Sequence, residues 1–178
     1  MFYGKKRATH VAASLAAIAL SALLAGCGKA NTSAVFGYVS RDAQFKIGFP
    51  SRNKSVECEA VRADGRTSLR VVSPERSAEL MVICSPNGCV ITPKDGGEGI
   101  PLSSRAAEGL TDVFALLYRG SDGTESVARS DDGRFTVITY PDGAVTVGED
   151  LLPSSVEIYS EDYVRVVTIS DYEVSGAE

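Results

Sequence analysis

Asp132-Gly133-Arg134-Phe135-Thr136-Val137-Ile138-Thr139-Tyr140-Pro141-Asp142-Gly143-Ala144-Val145-Thr146-Val147 decides how this chain folds. Two short runs of β-branched and aromatic residues are each introduced by an Asp-Gly pair. Such side chains fit a pleated, half-buried surface. Asp-Gly between two of these runs supplies the backbone twist of a tight hairpin. Phe135 and Val137 alternate with their neighbours, as do Val145 and Val147, at the period of a strand with one covered face.

The same pattern extends in both directions. Phe45, Ile47 and Phe49 alternate with Lys46 and Gly48, Val56, Cys58 and Ala60 with Glu57 and Glu59, and Leu69 and Val71 with Ser68 and Arg70. Val156 and Ile158 follow the quoted stretch, then Val164 to Ile169. The segment Leu80 to Cys84 is continuously apolar and is expected to be buried on both faces. Turn signals separate the runs at Asp64-Gly65, Asn87-Gly88, Asp95-Gly96-Gly97 and Asp122-Gly123. Closely spaced strands joined by such turns predict an antiparallel meander that buries one face and leaves the other wet.

One segment departs from this rhythm. Between Ser103 and Arg119, apolar residues fall at Ala106, Ala107, Leu110, Val113, Phe114 and Leu117. Spacings of three and four put them on one stripe of a helix. Ser103 or Ser104 can cap its start, and Gly120 fits the position just past its end. A shorter helical turn is expected at Pro74-Glu75-Arg76-Ser77, capped by Ser73. The expected fold class is mainly β (α+β): a long antiparallel sheet with one central helix laid on one face.

Three blocks in this order carry a resemblance: Val72-Ser73-Pro74-Glu75 leading to Leu80; Gly99-Ile100-Pro101-Leu102-Ser103 opening a helix with Phe114-Ala115-Leu116-Leu117; and Leu152-Pro153-Ser154-Ser155-Val156-Glu157-Ile158 before a closing strand. The chain resembles small bacterial lipoproteins with a LolA/LolB-like half-barrel, over residues about 35 to 175. The resemblance implies a strongly curved antiparallel meander whose concave face is covered by helix. In the family's transport members that hollow holds acyl chains. The family has no catalytic motif to carry over. Its carriers have a lid of several helices, whereas this chain offers one clear helix.

The N-terminus gives an address. Lys5-Lys6-Arg7 precedes an apolar run from Val11 to Leu24, broken only by Ser14 and Ser21, and Leu24-Ala25-Gly26-Cys27 closes it. This run is shorter than the ~20 residues a bilayer span needs. A basic flank, a short apolar core and small residues at its end mark a cleaved export signal. The terminal Cys27 resembles the lipobox cysteine of bacterial lipoproteins, which is acylated before the chain is cut in front of it. Acyl chains contribute ~0.8 kcal/mol per buried CH₂, and two or three hold a protein firmly. The expected organisation is a signal over 1–26, a lipidated tether over 27–33 and a single sheet domain over 34–178. The expected location is the extracytoplasmic face of a bacterial cell membrane.

Composition excludes several functions. Residues 1–26 hold three of the 18 basic residues and none of the 23 acidic ones, so the remainder carries a net charge of −8. Phosphate binding needs a basic face, which argues against nucleic acid as a partner. The only histidine, His10, lies in the signal, and there is no tryptophan. That removes the commonest general base and metal ligand, and with it Ser-His-Asp and Cys-His machinery. No enzyme activity, cofactor or metal is expected. Cys58 reads as a small core residue on the Val56 and Ala60 side of its strand. Cys84 and Cys89 bracket the turn at Pro86-Asn87-Gly88, and export permits a disulfide. A four-residue loop sets the two cysteines face to face, where they can bond; a two-residue Asn87-Gly88 loop sets Cys84 opposite Ile91, where they cannot do so easily.

Two functional readings follow. In the first, the domain carries an apolar or lipid-like ligand between the helix stripe (Leu110, Val113, Phe114 and Leu117) and strand residues Phe135 and Val137. The same stripe is also what an ordinary core helix carries. In the second, the domain is a surface-tethered structural or interaction protein with an envelope protein as partner. Its acidic pairs Asp131-Asp132, Glu149-Asp150 and Glu161-Asp162 are then candidate contacts, although acidic residues at turns are commonly just solvated.

Overall fold

The computed structural model describes residues 32–50, 55–74 and 80–175. Cys27, the 1–26 signal and most of the 27–33 tether lie outside them. Among the described residues no helix is long and apolar enough to cross a membrane. The described chain begins with a four-residue helix, α1 (Thr32–Val35), so Thr32 and Ser33 are helical rather than part of a bare tether. Val35, its last residue, and Tyr38, three positions further on, are buried in the core.

Six strands follow: β1 (Ala43–Phe49), β2 (Val56–Ala63), β3 (Arg66–Ser73), β4 (Leu80–Ser85), β5 (Gly88–Pro93) and β6 (Ile100–Pro101). The main helix, α2 (Ser104–Leu117), then leads to β7 (Ser126–Arg129), β8 (Thr136–Tyr140), β9 (Gly143–Val147), β10 (Pro153–Tyr159) and β11 (Val164–Val174). All eleven join one antiparallel sheet in the order β6-β5-β4-β3-β2-β1-β11-β10-β9-β8-β7. Two meanders, one on each side of α2 in sequence, are therefore joined by the pairing of the first strand with the last. Ile47 lies opposite Ile169 there, and both are buried.

Alternation of burial follows the sequence pattern in most strands. Ala43, Phe45 and Ile47 point inward from β1, Cys58 and Ala60 from β2, and Thr136, Ile138 and Tyr140 from β8. The run Leu80 to Cys84 differs from expectation. Leu80 is 44% exposed, Met81, Val82 and Ile83 are half-buried, and only Cys84 is fully enclosed. Leu80 and Val82 share the inward face of Cys84, while Met81 and Ile83 point to the other face of β4 and stay partly exposed. Ser73, the cap expected for a helical turn at 74–77, ends β3 opposite Glu57. Glu75, Arg76 and Ser77 lie outside the described residues.

The sheet is curved around α2. The closest backbone approaches of α2 are to β10 and β9 on one side and to β5 and β4 on the other. β5 and β10 are six strand spacings apart, about 29 Å along the sheet. A flat sheet would place the helix nearest the strands between them. Instead those strands recede, and large side chains fill the space beneath the helix. Phe45 and Tyr172 stack with ring centroids 5.0 Å apart, and Tyr38 meets Tyr172 edge-on at 6.3 Å. Phe114 and Tyr118 bring two more rings from the end of α2.

The ends of α2 differ from the sequence expectation. Ser103 is the N-cap residue, but its side chain makes no capping bond. At the other end Tyr118 is the cap, and its N–H donates to the Phe114 carbonyl. Gly120 takes its left-handed φ of 70° two residues beyond the cap. Its carbonyl accepts a 2.6 Å hydrogen bond from the Tyr140 hydroxyl. Close packing of the helix on the sheet depends on Gly143. A Cβ there would lie 2.2 Å from the Glu157 carbonyl oxygen and 2.6 Å from Leu116 Cδ1.

Candidate binding site

The helix stripe proposed to line a hollow is packed core. Val113 and Leu117 have no exposed surface, and Phe114 is 8% exposed. Leu110 is half-buried against the same cluster. Phe135 and Val137 do not join them. Phe135 is 45% exposed, and Val137 lies on the opposite face of β8 from Ile138 and Tyr140. Pairing with β9 decides this, because Ile138 lies opposite Val145 and Thr136 opposite Val147, both wholly buried. Threonine at 136 turns inward, and the two apolar residues beside it turn out.

Interior polar groups are few. Among the described residues the buried polar or charged side chains are Thr67, Thr92 and Thr136, so no carboxylate is buried. Burial pushes the hydroxyls of Tyr38, Tyr118 and Tyr172 above the ordinary phenol range. The Arg62 guanidinium lies 3.5 Å over the Tyr118 ring and donates to the Val39 carbonyl. This pins β2 to the segment after α1. Burial pushes the Cys58 thiol up to about 11, which makes it a poor nucleophile. Cys84 and Cys89 are disulfide-bonded with Cα atoms 4.2 Å apart. The turn is a two-residue one, but at Pro86-Asn87 rather than Asn87-Gly88. Ser85 therefore lies opposite Gly88, and the cysteines face each other. Among the described residues no group of three His, Cys, Asp or Glu side chains could hold a metal ion.

Of the acidic pairs, Asp131-Asp132 and Glu161-Asp162 lie exposed at hairpin tips. The Asp132 carboxylate accepts from the Ser130 hydroxyl and the Arg134 N–H, which closes its own turn and lowers its pKa. Glu149-Asp150 is different, because it borders a groove of about 560 Å³. One wall of that groove is the loop after β9 with the first residues of β10. The other is 169–172 of β11. Leu152, Pro153, Ile169 and Tyr172 give it an apolar floor, while Glu149, Asp150 and Asp171 carry its charge. Lys46 pairs with Asp171 at 2.7 Å, and that hydrogen bond raises the lysine pKa. Asp150 shapes the loop by accepting the Leu152 N–H at 3.0 Å. Sequence reasoning noted the carboxylates at 149 and 150 but not the wall opposite, since nothing local connects residues 20 positions apart.

No protein-family model and no curated protein matches the chain. Solved structures overlap it loosely. A LolA superfamily protein from Nitrosomonas europaea overlaps with a TM-score of 0.43 at 10% identity, over 83% of this chain and 92% of that one. An uncharacterized conserved protein from Thermus thermophilus overlaps at 0.47 and 8% identity, over 82% and 85%. MucB overlaps at 0.45 and 15% identity, over 83% of this chain and 58% of its own length. The first belongs to the superfamily the sequence resembles. Overlaps this loose assign neither family nor function.

Proposed function

We propose that this is a lipid-anchored, non-catalytic protein of the extracytoplasmic membrane face whose sheet domain binds a protein partner. The observation that carries the reading is the contrast between a closed helix–sheet contact and an open groove. An apolar ligand entering beneath α2 would have to displace Val113 and Leu117, which have no exposed surface. The groove at the β9–β10 loop is open without any rearrangement. The non-catalytic reading is supported by the lack of histidine after His10 and by the absence of a buried carboxylate among the described residues, histidine being the commonest general base. The anchor rests on Leu24-Ala25-Gly26-Cys27 and the basic flank before it.

Cys27→Ser is the test of the anchor. In a bacterium that processes lipoproteins, the substituted chain is expected to leave the membrane fraction while keeping its thermal transition. Retention in the membrane at wild-type levels would refute the anchor. Mass spectrometry of lipids co-purifying with the released chain separates the two functional readings. Reproducible stoichiometric lipid would favour the carrier reading over the interaction reading.

A further inference from the structure

β11 is eleven residues long and is paired unevenly. Its first half, Val164 to Thr168, is held on one side by β10. From Ile169 to Val174 it pairs with β1 alone. Two bulges produce this mismatch. In β10 the extra residue is Ser154, between the Pro153–Val147 and Ser155–Thr146 pairs. In β11 an extra residue lies between the partners of Gln44 and Lys46, and Asp171 takes a left-handed φ of 51° there. A bulge bends its strand and ends regular pairing. Pro153, which has no N–H to donate, stands where β10 would otherwise continue alongside β11. The groove of about 560 Å³ lies between these two departing segments. It is a notch in the middle of the sheet with a free strand edge as one wall.

We propose that this notch binds an extended, basic peptide segment of a partner protein, which adds to the sheet along residues 169–174 of β11. This rests on the interaction reading above and names its site and partner chemistry. A strand edge offers main-chain hydrogen bonds, and pockets beside it select alternate side chains. Leu152, Ile169 and Tyr172 receive the apolar side chains of such a segment. Its cations meet Glu149 and Asp150, and Asp171, whose charge Lys46 already shares. The groove rim is thus negative, as is the chain as a whole at −5. Charge complementarity therefore favours a cationic strand and opposes an acidic one or a second copy of this chain.

The probe is an acetylated, amidated hexapeptide of alternating lysine and valine, titrated calorimetrically into the full chain in mild detergent. Saturable binding is expected, with slowed amide exchange at 169–174. The glutamate–valine counterpart, and a lysine–valine peptide N-methylated at alternate positions, should not bind. Glu149→Lys combined with Asp171→Asn should weaken binding about 5-fold or more, since rim charges govern encounter and salt dependence. Asn tolerates the left-handed conformation at 171. Glu161→Lys, at the distant β10–β11 hairpin tip, should leave binding unchanged and reports on folding. Equal binding of the acidic peptide, or protection confined to other strands, would overturn the notch but leave the interaction reading standing. So would self-association of the chain that protects 169–174 without peptide. No binding of any peptide at millimolar concentration would also overturn it, and a partner recovered from membranes that still bound the Glu149→Lys, Asp171→Asn chain equally well would locate the interaction elsewhere.

Discussion

Beneath α2, Val113, Leu116 and Leu117 are enclosed by strands from both halves of the sheet; at the notch, Ile169 to Tyr172 line an open groove although they belong to one of the most central strands. Both regions are apolar, and both contain wholly or largely buried residues. They differ in pairing. Under the helix β10 stays paired with β9 from Ser155 to Ile158 and β5 with β4 throughout, so their inward side chains meet in layers. At the notch two bulges separate β10 from β11, and the residues between lose a neighbouring strand. Hydrophobic composition alone does not distinguish a core from a binding surface; continuity of the ladder does.

The largest expected effect lies on the closed side. Leu117→Ala should lower the unfolding free energy by about 2–5 kcal/mol in a denaturant titration, as a buried large-to-small change leaves a cavity. Phe135→Ser should change it by less than about 0.5 kcal/mol, as for an exposed site. Equal losses would erase the assigned difference between the enclosed helix stripe and the exposed Phe135.

Next in size is the hairpin that abuts the start of α2. The Leu102 N–H donates to the Cys89 carbonyl, so the Cys84–Cys89 bond braces the strand that receives the helix. Replacing both cysteines by serine should cost about 2 kcal/mol, the loop-closure figure for so short a loop. Denaturation of the double variant should be compared with that of the wild type under reducing conditions, where the two should converge.

The smallest expected effect is a pH-dependent one. Arg119 makes two hydrogen bonds to the Asp142 carboxylate, one of them 2.6 Å, joining the end of α2 to the β8–β9 turn. They hold the Asp142 pKa below the usual carboxylate value. The stabilisation is therefore present above about pH 4 and is lost as pH falls through the lowered value. Asp142 is half exposed, so the effect should stay under about 1 kcal/mol. Asp142→Asn should be less stable than wild type at pH 7 and indistinguishable from it near pH 2. A constant difference across that range would remove the ion pair as its cause.

Most elements were legible in the sequence because each rests on local chemistry. Alternation placed β1, β2, β3, β9 and β10. The i, i+3, i+4 stripe placed α2. Asp64-Gly65 turned β2 into β3, both residues taking left-handed φ. The direction of β8 was not legible, because apolar or aromatic residues occur on both of its faces and only Val145 and Val147 on the next strand select between them. The cysteine register was open for a similar reason, since moving the turn by one residue changes which side chains meet.

By itself the sequence determined the antiparallel sheet, the single amphipathic helix, the acidic and histidine-free character of the chain, and the lipobox pattern at Cys27 that motivates the anchor. Those properties depend on residues close together along the chain. Tertiary structure alone decided that β1 pairs with β11, which face of β8 turns inward, and that bulges at Ser154 and Asp171 open a notch between strands. These depend on contacts between residues more than a hundred positions apart, as with Ala43 and Val174, where small mismatches in register accumulate and have no local signature.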